Sequence, residues 1–148
     1  MNICVIIPAA GASRRFNESG GASVLAPRNK LDEDLGGRPV LQRTVELFTK
    51  DHRVSSVIVA GPHDEAAFGE FKLRHADRLT MLGASLVRGG EHHRYETVAA
   101  ALAHVPENAS HVAIHDAARP AASPELIDRV FETASRHDAV IPAVPVSD

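Results

Sequence analysis

Three short segments of this chain bring together residue types that bind phosphate and divalent metal. In the first, the apolar run Ile3–Ile7 passes into Pro8-Ala9-Ala10-Gly11 and then, past Ala12 and Ser13, into Arg14 and Arg15. Small residues at a strand's carboxyl end let backbone N–H groups approach an anion closely, and the arginines would supply charge. Arg28 and Lys30 lie beyond a stretch rich in Gly, Ser and Asn and could close over the same polyphosphate. The same residues also suit an ordinary turn flanked by solvated charge.

The second segment is Gly89-Gly90-Glu91-His92-His93-Arg94-Tyr95-Glu96-Thr97. A Gly-Gly pair between a strand and a helix exposes backbone donors and acceptors that can read a base edge. Thr97, about one turn into the helix, could face the same pocket. A tight turn with a helix-starting arm is the plainer alternative. The adjacent His92 and His93 point apart and lack a spaced Cys or third His, so zinc ligation is not expected. The third segment, His115-Asp116-Ala117-Ala118-Arg119-Pro120, follows an apolar run. A carboxylate there is placed to hold Mg²⁺ against phosphates, and Arg119 could meet a second anion or simply pair with Asp116.

Other phosphate motifs do not fit. Gly11-Ala12-Ser13-Arg14-Arg15-Phe16 has only the first glycine of a dinucleotide fingerprint, and the chain has no Gly-Lys-Ser/Thr. A formal net charge of −3 provides no basic excess for nucleic acid. Cys4 is the single cysteine, so no intramolecular disulfide can form. The run Ile3–Ile7 is too short for a signal peptide, and nothing reaches membrane-spanning length, which makes the cytoplasm the expected location.

These segments need a frame that puts strand ends side by side. Strands are expected at Ile3–Ile7, Ser56–Ala60, Ser85–Arg88, His111–His115 and Ala139–Val146. Helices are expected at Pro39–Lys50, Asp64–Ala76 (weakened by Gly69), Arg94–His104 and from Ser123 to about Arg136. The alternation predicts one α/β domain over residues 1–148 with a mainly parallel, Rossmann-like, doubly wound sheet. Asn17–Asn29 has no periodicity and reads as a mobile loop. The last strand carries Pro142 and Pro145 and is expected to leave the sheet.

Taken in order, Pro8-Ala-Ala-Gly11 with Arg15, Lys30, Gly89-Gly90 with Arg94 and Thr97-Val98, and His115-Asp-Ala-Ala-Arg-Pro120 resemble the 2-C-methyl-D-erythritol 4-phosphate cytidylyltransferase family. The resemblance covers essentially the whole chain, which looks like the first two-thirds of that enzyme, and implies a nucleotide-diphospho-sugar transferase type of fold. It implies transfer of CMP from CTP to a sugar-alcohol phosphate with Mg²⁺ as cofactor and release of pyrophosphate. Methylerythritol phosphate is the implied acceptor; ribitol 5-phosphate, or CTP binding without catalysis, are the alternatives. Arg15 and Lys30 would stabilise charge on the phosphates. Pro8, Ala9, Ala10 and Gly11 would form the triphosphate loop, with Gly89 and Arg94 also on the nucleotide. Gly90, Glu91 and Thr97 would recognise cytosine, Ala117 would lie beside the ribose, Asp116 would bind Mg²⁺ and Arg119 the acceptor. The resemblance further implies a homodimer for the full-length enzyme. Departures from the family pattern are Ser13 in place of glycine, a longer Arg15-to-Lys30 spacing, Asn29-Lys30-Leu31 in place of Pro-Lys-Gln, and one extra residue between Gly90 and Arg94.

Overall fold

The computed structural model describes residues 1–11 and 29–145. Ser13, Arg14, Arg15, Arg28 and most of the loop expected at Asn17–Asn29 therefore lie outside the described residues. Within them, strands β1 (Ile3–Pro8), β2 (Val54–Gly61), β3 (Ala84–Arg88) and β4 (His111–Ile114) form one parallel sheet in the order β3-β2-β1-β4. The alternating helices are α1 (Val40–Glu46), α2 (Glu65–Met81), α3 (Arg94–Leu102) and α4 (Pro124–Ala134).

β1 lies between β2 and β4 and is covered on both faces, which is why it reads as an unbroken apolar run. On one face Ile3, Val5 and Ile7 pack with Leu41 and Val45 of α1, Phe71 and Leu79 of α2, and Phe131 of α4. On the other, Cys4 and Ile6 pack with Ile58, Val87 and Ala101 of α3. Burying each of the Val, Leu, Ile and Phe side chains contributes about 1.5–3 kcal/mol. Helices on both faces make the sheet doubly wound, a Rossmann-like α/β fold, as the alternating pattern predicts.

Local signals set most element boundaries. Asp64 accepts a hydrogen bond from the Ala67 N–H and starts α2, and Ser123 does the same for Leu126 in α4. α2 runs through Gly69 to Met81, beyond the expected end at Ala76. Phe71, His75 and Leu79, at i, i+4 and i+8, bury one stripe against the sheet and outweigh the roughly 1 kcal/mol cost of one glycine. α1 is shorter than its pattern and ends at Glu46.

The strand expected at Ala139–Val146 is not found: residues 139–145 adopt no strand, and Val146 lies outside the described residues. Pro142 and Pro145 remove two ladder donors, and Ile141 and Val144 are 86% and 85% exposed, so neither pairing nor burial holds the segment to the sheet.

Chain order matters for the site. From β1 the sheet grows through β2 to β3, and the chain then crosses back to place β4 on the far side of β1. The crevice outside the carboxyl ends of β1 and β4 is thus the topological switch point, where open α/β sheets bind ligands. Phe71 props this end of the sheet, since a Cβ on Gly61 would lie 2.9 Å from its ring. Phe71→Ala is expected to cost about 3–5 kcal/mol in urea unfolding; a loss below about 1 kcal/mol would show that the α2 stripe does not hold this end.

Candidate functional site

A crevice of about 770 Å³ opens at the switch point. Pro8, Ala9, Ala10 and Gly11 enter it from the end of β1, and Lys30 from the segment before α1. Gly90 and Glu91 come from the β3–α3 connection, Arg94 and Thr97 from the first turn of α3, and Asp116, Ala117 and Arg119 from the turn after β4. Segments distant in sequence thus meet in one place. Gly89 lies beneath the lining rather than in it, and Arg15 is outside the described residues. A smaller pocket of about 390 Å³ lies away from this crevice, between the amino end of β4 and the carboxyl end of α4, lined by Ser110, His111 and Arg136.

Each wall is pinned by backbone. The Ala9 N–H donates to the Ala60 carbonyl at 2.7 Å, carrying the ladder one step past β1. Gly89 N–H donates to Gly61 O at 2.9 Å, and His63 Nδ1 lies 3.0 Å from Gly89 O. The two glycines are required by close approach. A Cβ at Gly89 would stand 2.6 Å from the Gly61 carbonyl, and one at Gly90 would stand 2.2 Å from Glu96 Cβ. The Thr97 hydroxyl, buried at the start of α3, accepts from the Gly90 N–H at 3.2 Å. Glu96 accepts from the His92 and His93 N–H groups, and these bonds hold its carboxyl below the usual range. His93 stacks on Tyr95 at 5.4 Å, with its ring turned 68° from that of His92.

Lys30 is placed by its neighbours. Asn29 Oδ1 accepts from the Leu31 N–H, Leu31 is buried in the core, and its carbonyl accepts from the Leu41 N–H. Next to it the Asp32 carboxylate meets His75 Nε2 of α2 at 2.7 Å and Arg74 Nε at 3.4 Å. The His75 contact is close but not linear, an electrostatic contact rather than an aligned hydrogen bond. Burial pushes the His75 imidazole below its ordinary value; Asp32 works against this, and Arg74 and Arg78 reinforce it.

The turn after β4 is also pinned. His115 N–H donates to Ile6 O, and Thr44 Oγ1 of α1 lies 2.8 Å from Ala117 O, where it can donate. His115 Nε2 lies 2.9 Å from Arg119 O and closes the turn. Arg94 Nη2 donates to Asp116 Oδ1 at 2.7 Å, and Arg119 Nε meets Oδ2 at 2.8 Å. Burial raises the Asp116 carboxyl, but the Arg94 hydrogen bond and the charges of Arg94, Arg119 and His115 outweigh it and hold the group below the ordinary range.

Sequence reading missed Thr44, His63, Asp32 and His75. Thr44 sits inside an amphipathic stripe and looks like a helix filler. Asp32 and His75 belong to different elements, and no spacing rule joins them.

A parallel α/β sheet with small residues, a lysine, a Gly-Gly turn and a carboxylate around its switch point has the layout of a nucleotide-binding α/β domain. A family model described as 2-C-methyl-D-erythritol 4-phosphate cytidylyltransferase matches residues 3–148, and the chain belongs to that family. It is 37% identical over 147 residues to the protein of that name from Frankia casuarinae, covering 99% of this chain and 49% of the relative. The protein of the same name from Symbiobacterium thermophilum is 36% identical over 146 residues, covering 99% and 56%. The solved structure of the bifunctional IspDF from Campylobacter jejuni superposes with a TM-score of 0.76 at 23% identity, covering 100% of this chain and 34% of that one. The chain thus spans about half the length of these two sequence relatives.

Two outcomes follow from this geometry. Gly90→Ala is expected to destabilise by about 1–3 kcal/mol, because Glu96 and the start of α3 must move; unchanged urea unfolding would mean that the turn yields freely. His75 should make stability fall with acid. Its folded pKa lies below the ordinary 6.5, so between the two values the unfolded chain binds the extra proton. That contribution is complete above pH 6.5 and is lost as pH drops through the folded value. The stability gap between wild type and His75→Gln should therefore narrow from pH 7.5 to pH 5.5, and a constant gap would contradict it.

Proposed function

We propose that this chain binds CTP with Mg²⁺ and serves the transfer of CMP to 2-C-methyl-D-erythritol 4-phosphate, with release of pyrophosphate. The observation that carries the reading is the meeting of Lys30, Gly90 and Asp116 in one crevice of a chain that belongs to this family.

The chemistry asks little of the protein in proton transfer. A phosphate monoester with a second pKa near 6 is already largely dianionic at neutral pH, so the nucleophile needs no general base. The tasks left are alignment and stabilisation of charge on the transferring phosphorus and the departing pyrophosphate. Lys30 is assigned to that charge, with Arg15 as its partner by family resemblance. The backbone N–H groups of Ala10 and Gly11 are assigned to the triphosphate, with Ala9 held in the sheet beneath them. Gly90, Glu91 and Thr97 read cytosine, Ala117 lies beside the ribose, and Arg119 serves a substrate phosphate.

Asp116 suits magnesium as a carboxylate lining the crevice, and the cation would have to take over oxygens that Arg94 and Arg119 engage in this structure. One carboxylate beside an open crevice matches an ion that takes its other ligands from phosphates and water. Among the described residues no cluster of three or more His, Cys, Asp or Glu forms a protein-only cage. When bound, Mg²⁺ would neutralise phosphate charge. No helix among the described residues is long and apolar enough to cross a membrane; a cytoplasmic, homodimeric enzyme is the setting we propose.

Isothermal titration with Mg²⁺ should show CTP binding in preference to ATP, and absence of CTP binding would remove this reading. In a pyrophosphate-release assay, Lys30→Met should slow turnover about a hundredfold, about 3 kcal/mol, with CTP affinity much less affected. Binding of CTP without any pyrophosphate release by the wild type would leave a CTP-binding module in place of a transferase.

A further inference from the structure

The most concentrated charge in the crevice is the cluster of Arg94, Asp116 and Arg119. Each carboxylate oxygen of Asp116 carries its own guanidinium partner, Arg94 on Oδ1 and Arg119 on Oδ2. The members differ in how firmly they are held. The backbone around Asp116 is tied by His115 to β1, by Thr44 to α1 and by the His115 ring to Arg119 O. The Arg94 and Arg119 side chains are 58% and 75% exposed, and their charged ends can swing on long stems. Asp116 is a fixed post and the arginines are movable arms.

We propose that Asp116 acts as an internal stand-in for phosphate. Its carboxylate holds the Arg94 and Arg119 guanidinium groups in the crevice until the phosphates of an incoming nucleotide take them over, and this handover bares the carboxylate to a divalent cation. The inference rests on the nucleotide-binding reading above.

A guanidinium fork matches carboxylate and phosphate with the same planar geometry, so the exchange replaces one partner by a like one of higher charge. The cluster of two arginines and one carboxylate carries a net charge of +1, which attracts a polyanion and repels a lone divalent cation. Anion binding should therefore precede or accompany the cation. By linkage, nucleotide and metal must then promote each other's binding beyond their direct contact. The effect is modest, since exposed ion pairs of this kind are each worth about a factor of two to five.

The test uses inorganic pyrophosphate titrated calorimetrically in chelator, so that no metal takes part. Asp116→Asn frees both arginines and should bind pyrophosphate about threefold tighter than wild type. Simple removal of a repelling charge would also tighten binding, so the decisive measurement is the same substitution made in Arg94→Gln and in Arg119→Gln backgrounds. Handover requires the gain to fall by at least half in each; an undiminished gain, or no gain in the parent, overturns it.

A spectroscopic arm is independent of affinity. The Arg119 Nε–H resonance of wild type should move on pyrophosphate addition toward its position in Asp116→Asn. No movement, while Gly11 and Lys30 amides respond, also overturns the proposal. If wild type binds Mg²⁺–CTP but neither it nor Asp116→Asn binds metal-free pyrophosphate, the handover fails and the functional reading stands. If wild type does not bind Mg²⁺–CTP, the functional reading itself fails.

Discussion

The site depends on the burial of β1 on both faces between β2 and β4. A parallel strand covered on both sides must be apolar at every position, and this one is, from Ile3 to Ile7. Because β1 is central, its end, Pro8-Ala9-Ala10-Gly11, opens where the strand order reverses toward β4. A polar residue within β1 would therefore disturb the core and the crevice together. The small residues at its end leave the backbone accessible where phosphates would have to lie.

Around that fixed centre, the catalytic candidates are carried on connections whose polar groups tie back to regular structure. Gly89 and Gly90 are drawn close by Gly61, Thr97 and Glu96. The turn bearing Asp116 hangs on Ile6 and Thr44. Lys30 is anchored by Leu31, which is buried in the core, with Asp32 held against His75 of α2. The position of a charge depends on what holds its backbone, and here regular elements hold the connections while the Arg94 and Arg119 side chains, paired with Asp116, are largely exposed.

Much of this was legible in the chain. All strands from β1 to β4 followed from short apolar runs, and α4 from Ser123-Pro124 and its stripe. α2 runs past its expected end because the buried stripe of Phe71, His75 and Leu79 outweighs the local cost of Gly69. The strand expected at Ala139–Val146 failed because apolar composition cannot supply a partner edge, and Pro142 and Pro145 withhold donors. The residues assigned binding or catalytic roles and having described positions line one crevice, except Gly89, while Val98, His115 and Pro120 of the same motifs lie outside its lining.

By itself the sequence determined the α/β class, the order of the chemical segments and their membership in one family. The first two are consequences of periodicity and of local residue types, which act over a few positions, and the third rests on the resemblance of whole motifs and the family match. Only the tertiary structure decided that Asp116 is shared by Arg94 and Arg119, that Thr44 supports Ala117, and that Asp32 meets His75. Those pairs join different elements, brought together by sheet order and helix packing. Their energies come from distance and burial, which sequence spacing does not encode.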